Sequence, residues 1–317
     1  MHYVTAKSIL SSKNGMNIYR GCTHNCIYCD SRSNIYNMNH DFEDVEVKVN
    51  SIELLKKALK RKKEKSMIGI GSMSDPYMPL EKSLKYTRQA LELVCKLGFG
   101  FTCITKSDLV LRDIDLFKKI NEKSKAVLQM TLTAADDKLS KKIEPNVCTT
   151  KERASILKKF NEKGIPTVVW LCPVLPFITD SEENIERILD YCIGAEVYGI
   201  ICLEMGLTLR DGNRQYFYRK LDEEFPGLKR KYIEAYGKRY ALPSSNKSKL
   251  MKMFRERCLE NNIESNPQKI FQYLSEFPKN QKHSSQNYFK NLFYKTNTNN
   301  KIGVTMEIDK NEFENIT

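Results

Sequence analysis

Six short apolar runs punctuate the first two thirds of the chain, at about residues 16–20, 67–71, 99–105, 126–133, 166–172 and 198–203. Most are rich in β-branched residues and show little alternation. That pattern predicts strands buried on both faces. Amphipathic stretches with helical spacing separate them. Asn50-Ser51-Ile52-Glu53 reads as a capping box opening a helix to about Lys65. Thr149-Thr150-Lys151-Glu152 and Thr179-Asp180-Ser181-Glu182 have the same form. Gly98, Gly164 and Gly194 are expected just past three helix ends. Strands alternating with helices imply a parallel sheet with right-handed crossovers, an α/β fold. The predicted organisation is a barrel-like domain over residues 1–210, a helical extension over 211–277 and a polar tail over 278–317. A short strand is expected near 301–308.

Composition adds a cellular setting. Hydrophobic residues make up 41% of the 317, enough for a sizeable core. No apolar run approaches the ~20 residues of a membrane span. The first residues lack the apolar centre of a signal peptide, so a cytoplasmic location and no membrane partner are expected. Cys95, Cys103, Cys192 and Cys202 fall in apolar, patterned segments and are expected in the core.

Charge is uneven. The formal net charge is +13, and residues 214–257 hold 13 Lys/Arg against 5 Asp/Glu, a local +8. Tyr216, Phe217, Tyr218 and Tyr232 interleave with these cations. Basic groups for phosphates and aromatics for bases are what a nucleic-acid surface needs. The alternative is an ordinary solvated helix with buried tyrosines. The lysine run at 56–63 is expected to face outward on a helix.

Chemistry concentrates at Cys22-Thr23-His24-Asn25-Cys26-Ile27-Tyr28-Cys29. The C-x3-C-x2-C spacing puts three thiolates in one glycine-flanked loop, suited to a soft metal or an iron–sulfur cluster. A structural zinc site completed by His24 is the other reading. With an aromatic at Tyr28, the motif resembles that of the radical S-adenosylmethionine (SAM) superfamily. The resemblance implies a partial (β/α)6 TIM-like barrel with a mostly helical C-terminal extension. Cys22, Cys26 and Cys29 would hold three irons of a [4Fe–4S] cluster. The fourth iron would bind SAM, cleaved reductively to a 5′-deoxyadenosyl radical. A reductant such as a flavodoxin or ferredoxin is then a partner.

A narrower resemblance spans about residues 15–240. Asn17-Ile18-Tyr19-Arg20-Gly21-Cys22, Ser74-Asp75-Pro76-Tyr77, Thr105-Lys106-Ser107, Glu144-Pro145, Pro173-Val174-Leu175-Pro176 and Phe225-Pro226-Gly227 are similar to the spore photoproduct lyase-like family of DNA repair photolyases. It implies lyase-type chemistry on nucleic acid. Gly71, Ser72, Ser74 and Asp75 are then expected along SAM, with Tyr28 beside the cluster or the adenine. Lys106 is expected on the SAM carboxylate, and Arg153 could reach it too. At most one of Thr131 and Thr133 is expected to hydrogen-bond SAM. Spore photoproduct lyases carry a hydrogen-donating cysteine just before the second-strand Ser-Asp. Here Ser72 and Met73 stand in its place. An O–H bond is too strong to quench a carbon radical readily, so Cys148 and Cys172 become the candidate donors, with structural roles as the alternative. Peptide or metabolite modification, and a cluster-carrying electron-transfer or binding protein, are the other functional readings.

Overall fold

The computed structural model describes residues Met1–Pro278, which form one compact unit. The polar tail from residue 279, with the strand expected near 301–308, lies outside the described residues. Eleven strands run along the described chain: β1 His2–Val4, β2 Gly15–Met16, β3 Tyr19–Arg20, β4 Glu46–Lys48, β5 Met67–Ile70, β6 Gly100–Thr105, β7 Ala126–Thr131, β8 Thr167–Trp170, β9 Gly199–Ile201, β10 Gly206–Thr208 and β11 Ala241–Pro243. Six make one sheet in the order β2-β5-β6-β7-β8-β9, every neighbour parallel. This is the expected partial barrel, with β2 and β9 as its two edges. The expected first strand at 16–20 is two pieces. Gly15–Met16 joins the barrel, while Tyr19–Arg20 turns away to pair with β4 in a separate sheet with β1.

Three helix signals fare differently. Thr149 and Glu152 form the reciprocal capping box as expected. Asn50 does not cap its helix, which runs Ser51–Arg61. Its amide instead bonds both Ala6 N and Ala6 O at 2.9 Å, fixing the N-terminal strand. Thr179 accepts from Leu175 N, and Ser181 caps the next helix through Asn184 N. Gly194 is the last residue of that helix, and the left-handed turn falls at Glu196.

Side chains alternate across the sheet. One face, with Phe101, Cys103, Leu128, Met130, Val169 and Ile200, packs under the crossover helices. Cys95, Cys192 and Cys202 belong to the same core. Register places Thr102, Val127, Gln129, Val168, Trp170 and Ile201 on the opposite, concave face. Hydrogen bonds from Trp170 Nε1 to Gln129 Oε1 (2.7 Å) and from Gln129 Nε2 to Thr102 Oγ1 (2.6 Å) cross that face. The helix Pro267–Ser275 covers it. Pro267 opens this helix and Asn266 caps Lys269 N. Its Ile270 and Leu274 pack on Val127, Val168 and Ile201. Gly199 permits the approach, since a Cβ there would meet Ile270 Cγ1 at 3.1 Å and Glu264 O at 2.9 Å.

Candidate active site

The cysteine loop follows β3 and sits at the C-terminal edge of the sheet, where barrel enzymes place their chemistry. Gly21 makes the turn possible at φ 87°, where a Cβ would lie 2.5 Å from Phe42 O. The loop is then fastened along its length. Cys22 N donates to Phe42 O at 2.9 Å and Ile27 N to Ile143 O at 2.9 Å. Asn146 Nδ2 donates to Thr23 O at 2.9 Å. Cys22 and Cys26 are buried, Cys29 half-buried, and all three are free thiols.

His24 lies buried inside the loop, Nδ1 3.3 Å from Asp75 Oδ2. Burial favours the neutral ring, but Asp75 outweighs it and raises the imidazole to about 10. Burial also disfavours the Asp75 carboxylate. The His24 charge and backbone N–H groups overcome that and hold it near 2. Burial pushes the Cys22 thiol up, yet His24 brings it below its ordinary value. His24 is thus committed to Asp75 and Cys22. Among the described residues, the cysteine sulfurs form no group converging to within 4.8 Å. Three thiolates on one zinc ion sit about 3.8 Å apart. With His24 committed elsewhere and the sulfurs spread apart, the loop suits a cluster of several irons.

Asp75 is an anchor. It accepts from Thr105 Oγ1, Lys106 N and Tyr77 N, each at 2.8 Å. Ser74 Oγ donates to Gly21 O at 2.6 Å. Both brace the cysteine loop, Ser74 through Gly21 and Asp75 through His24, where the sequence leads us to expect them along SAM. Ser72 is exposed at the rim. Gly71 has φ 103°, and a Cβ there would fall 2.0 Å from Ile104 O. Only glycine fits.

Thr131 ends β7 on the concave face, Lys106 follows the last residue of β6, and Cys172 lies two residues past β8, near enough to Lys106 to feel its charge. The Lys106 ammonium makes no hydrogen bond or ion pair among the described residues and stands 5.8 Å from the Tyr28 ring centre. Burial disfavours its charge, but Cys26 and Glu144 raise it above the usual lysine value. Thr133 lies beyond β7, its hydroxyl 3.0 Å from Glu144 Oε1. Glu144 also accepts from the Tyr28 hydroxyl and from Arg153. Arg153, fully buried, further donates to Thr131 O, Cys148 O and Ser140 Oγ. It thus makes four hydrogen bonds within the protein, at the residue expected from the sequence to reach the SAM carboxylate. Burial penalises the Glu144 carboxylate, and Arg153 and Lys106 more than restore it. The sequence reading left Glu144 out of the site and gave His24 only as a zinc ligand. Glu144 had a signal in the Glu144-Pro145 match, and His24 in its place between the cysteines.

The two candidate donor cysteines differ. Cys148 Sγ bonds Lys106 O at 3.0 Å and packs against the core under the helices. Cys172, two residues past β8, lies within reach of the Lys106 charge. Burial pushes both thiols up to about 12, so both keep their protons near neutrality.

The basic extension departs from its expected surface. Phe217 and Tyr232 are fully buried and cannot stack on bases. Tyr216 is already faced by Arg32, 3.7 Å from its ring centre. Many cations are paired: Lys220 and Arg219 with Glu223, Lys229 with Asp222, Arg230 with Glu234, Lys249 with Glu182 and Arg257 with Asp190. The lysine run of the first helix is mostly exposed, as expected.

A family model described as the radical SAM superfamily matches residues 16–191. The chain belongs to the radical SAM superfamily. It is 35% identical over 181 residues to an uncharacterised protein of Methanocaldococcus jannaschii, covering 56% of this chain and 67% of that one. An uncharacterised Mycobacterium tuberculosis protein is 28% identical over 248 residues, 76% of this chain and 71% of that one. A radical SAM Nalpha-GlyT isomerase of Pseudomonas phage M6 is 24% identical over 162 residues, 51% of this chain and 33% of that one. Among solved structures, a spore photoproduct lyase aligns with TM-score 0.60 at 13% identity, covering 81% of this chain and 78% of the other. The same enzyme complexed with a dinucleoside spore photoproduct aligns at 0.59. These structures share the fold. The protein is a radical SAM enzyme that uses a [4Fe–4S] cluster and SAM. No helix among the described residues is long and apolar enough to cross a membrane.

Proposed function

We propose that this enzyme begins radical chemistry on a nucleic-acid strand, in the reducing cytoplasm and with a flavodoxin- or ferredoxin-type reductant. The likeness of fold to spore photoproduct lyase over 81% of the chain, including the dinucleoside complex, carries the reading. The local +8 of residues 214–257 supports it. When bound, the cluster and SAM supply the 5′-deoxyadenosyl radical. Cys22, Cys26 and Cys29 hold the cluster, and Lys106 neutralises the SAM carboxylate. Gly71 lets the chain leaving β5 pass against the Ile104 backbone beside the SAM site, and Thr131 offers SAM a hydroxyl. Tyr28, fixed by Glu144, walls the site beside Lys106.

Cys172 is the hydrogen-atom donor in this reading, since it follows the strand next to Thr131 and lies near Lys106. Its thiol gives one hydrogen atom to the product radical. One electron from the reductant and one proton from water then restore the thiol. Cys148, turned to the core, keeps a structural role. Clean repair of spore photoproduct is not expected, because Ser72 and Met73 occupy the usual donor position.

Two measurements test the proposal. The first is a salt titration of binding to single- and double-stranded DNA and to RNA. A site neutralising six phosphates loses on the order of a thousandfold between about 50 and 200 mM salt. Lys231 and Lys238 have no acidic partner among the described residues, and charge reversal there should reduce the slope. No binding near 50 mM salt sinks the nucleic-acid reading. The second uses SAM and reductant in D2O without substrate. Cys172 should transfer deuterium into the 5′-deoxyadenosine formed. Equal labelling from Cys172→Ala would remove Cys172 from its role.

A further inference from the structure

The small sheet carries a second cluster of metal-ligating groups, separate from the cysteine loop. Register sets His2 on β1 opposite Glu46 on β4. His2 Nδ1 lies 2.9 Å from Asp44 Oδ2, and Asp44 Oδ1 pairs with the Met1 amino group at 2.8 Å. The His2 and His40 rings meet edge to face, 4.8 Å between centres. His40 Nδ1 sits 3.0 Å from Asp41 O. A carbonyl only accepts, so Nδ1 carries the proton and Nε2 keeps its lone pair. That Nε2 is buried and has no hydrogen-bond partner, with Glu46 Oε2 3.9 Å away.

An imidazole whose Nδ1–H is fixed on a backbone carbonyl, with a bare Nε2, has the arrangement of a metal-bound histidine. One ligand atom from each of His2, His40 and Asp44 lies within 4.8 Å of the others. Tetrahedral zinc with nitrogen and oxygen ligands needs them about 3.3 Å apart. The remaining distance is closed by rotation of His2 and Asp44, which are 38% and 45% exposed, once the metal replaces their mutual contact and the Met1–Asp44 pair. Glu46 borders His40 at 3.9 Å but is not one of the converging ligands. Two imidazoles and a carboxylate suit zinc or another first-row divalent ion, and no thiolate competes there.

We propose that His2, His40 and Asp44 form a divalent-metal site of the zinc type. It clips the N-terminal strand to the segment that leads out of the cysteine loop into β4. It is independent of the nucleic-acid reading.

The test uses untagged, cluster-loaded protein with one equivalent of zinc. X-ray absorption at the zinc edge should give nitrogen and oxygen neighbours at about 2.0–2.1 Å with two imidazoles. A sulfur shell near 2.3 Å would mean that zinc sits on cysteines, and would overturn the proposal. By calorimetry, His40→Gln should weaken zinc at least about tenfold and abolish the zinc-dependent rise in melting temperature, with iron content unchanged. Unchanged zinc affinity in that variant overturns the site. His2→Ala, at a more exposed position, repeats the test should His40→Gln lose its fold.

Discussion

At the C-terminal edge of the barrel, charged side chains are buried in pairs around a cysteine loop. At the opposite end of the same concave face, an apolar helix covers the strands. Tyr28, Glu144 and Arg153 form one hydrogen-bonded chain at the first end. Ile270 and Leu274 do the comparable work at the second through contact alone. Buried charge orients groups but fails badly when one member is removed. Apolar packing fails by degrees, in proportion to the cavity left behind. The enzyme thus holds its site with fragile, specific interactions and its base with tolerant ones.

The contrast can be broken from either end. The largest loss is expected from Arg153→Met, which leaves the Glu144 carboxylate buried without its cation. Chemical unfolding should show about 3–5 kcal/mol of destabilisation. Adding Glu144→Gln should recover a large part of it. A single variant with no loss would deny the pair its role. Ile270→Ala should cost about 2–5 kcal/mol through the cavity it makes. SAM affinity should not change, so a shift there would mean the two ends communicate. Lys106→Ala should weaken SAM by roughly 5- to 150-fold, an ion-pair loss of about 1–3 kcal/mol, at constant iron content. Equal affinity would return Lys106 to a packing role.

The smallest effect concerns Lys125, which donates to Tyr273 O on the covering helix. Burial lowers its ammonium to about 8, only partly opposed by Glu276. The unfolded chain titrates near 10.4. Between those values the unfolded state holds a proton that the folded state has released. Stability from this group therefore rises with pH across that window. Melting curves of Lys125→Met from pH 7.5 to 10 should lack that rise relative to wild type. Parallel curves would show that burial does not perturb Lys125.

The barrel strands were legible because burial on both faces leaves a continuous apolar run. The Thr149 box was legible because both partners lie within one turn. Asn50 looked identical, yet its amide is claimed by Ala6, 44 positions away. The Glu144-Pro145 match marked Glu144, but its bond to Tyr28 could not be read for the same reason, since Tyr28 lies 116 positions before it. Basic composition was legible in residues 214–257. The acids that pair with it, such as Glu182 and Asp190, come from another helix. Phe217 and Tyr232 are spaced like stacking aromatics but turn into the core, a choice the local sequence does not record.

The helix Pro267–Ser275 makes the open barrel a blind well. Trp170 packs against Phe271 of that helix at the floor of the well, and Cys172 lies two residues past the end of β8. A polymer can lie across the rim of such a well but cannot thread it. Only a group that protrudes from the polymer descends to the depth of Cys172. For a nucleic acid, that group is a base turned out of its stack, and bases already unpaired or damaged are the least costly to turn out.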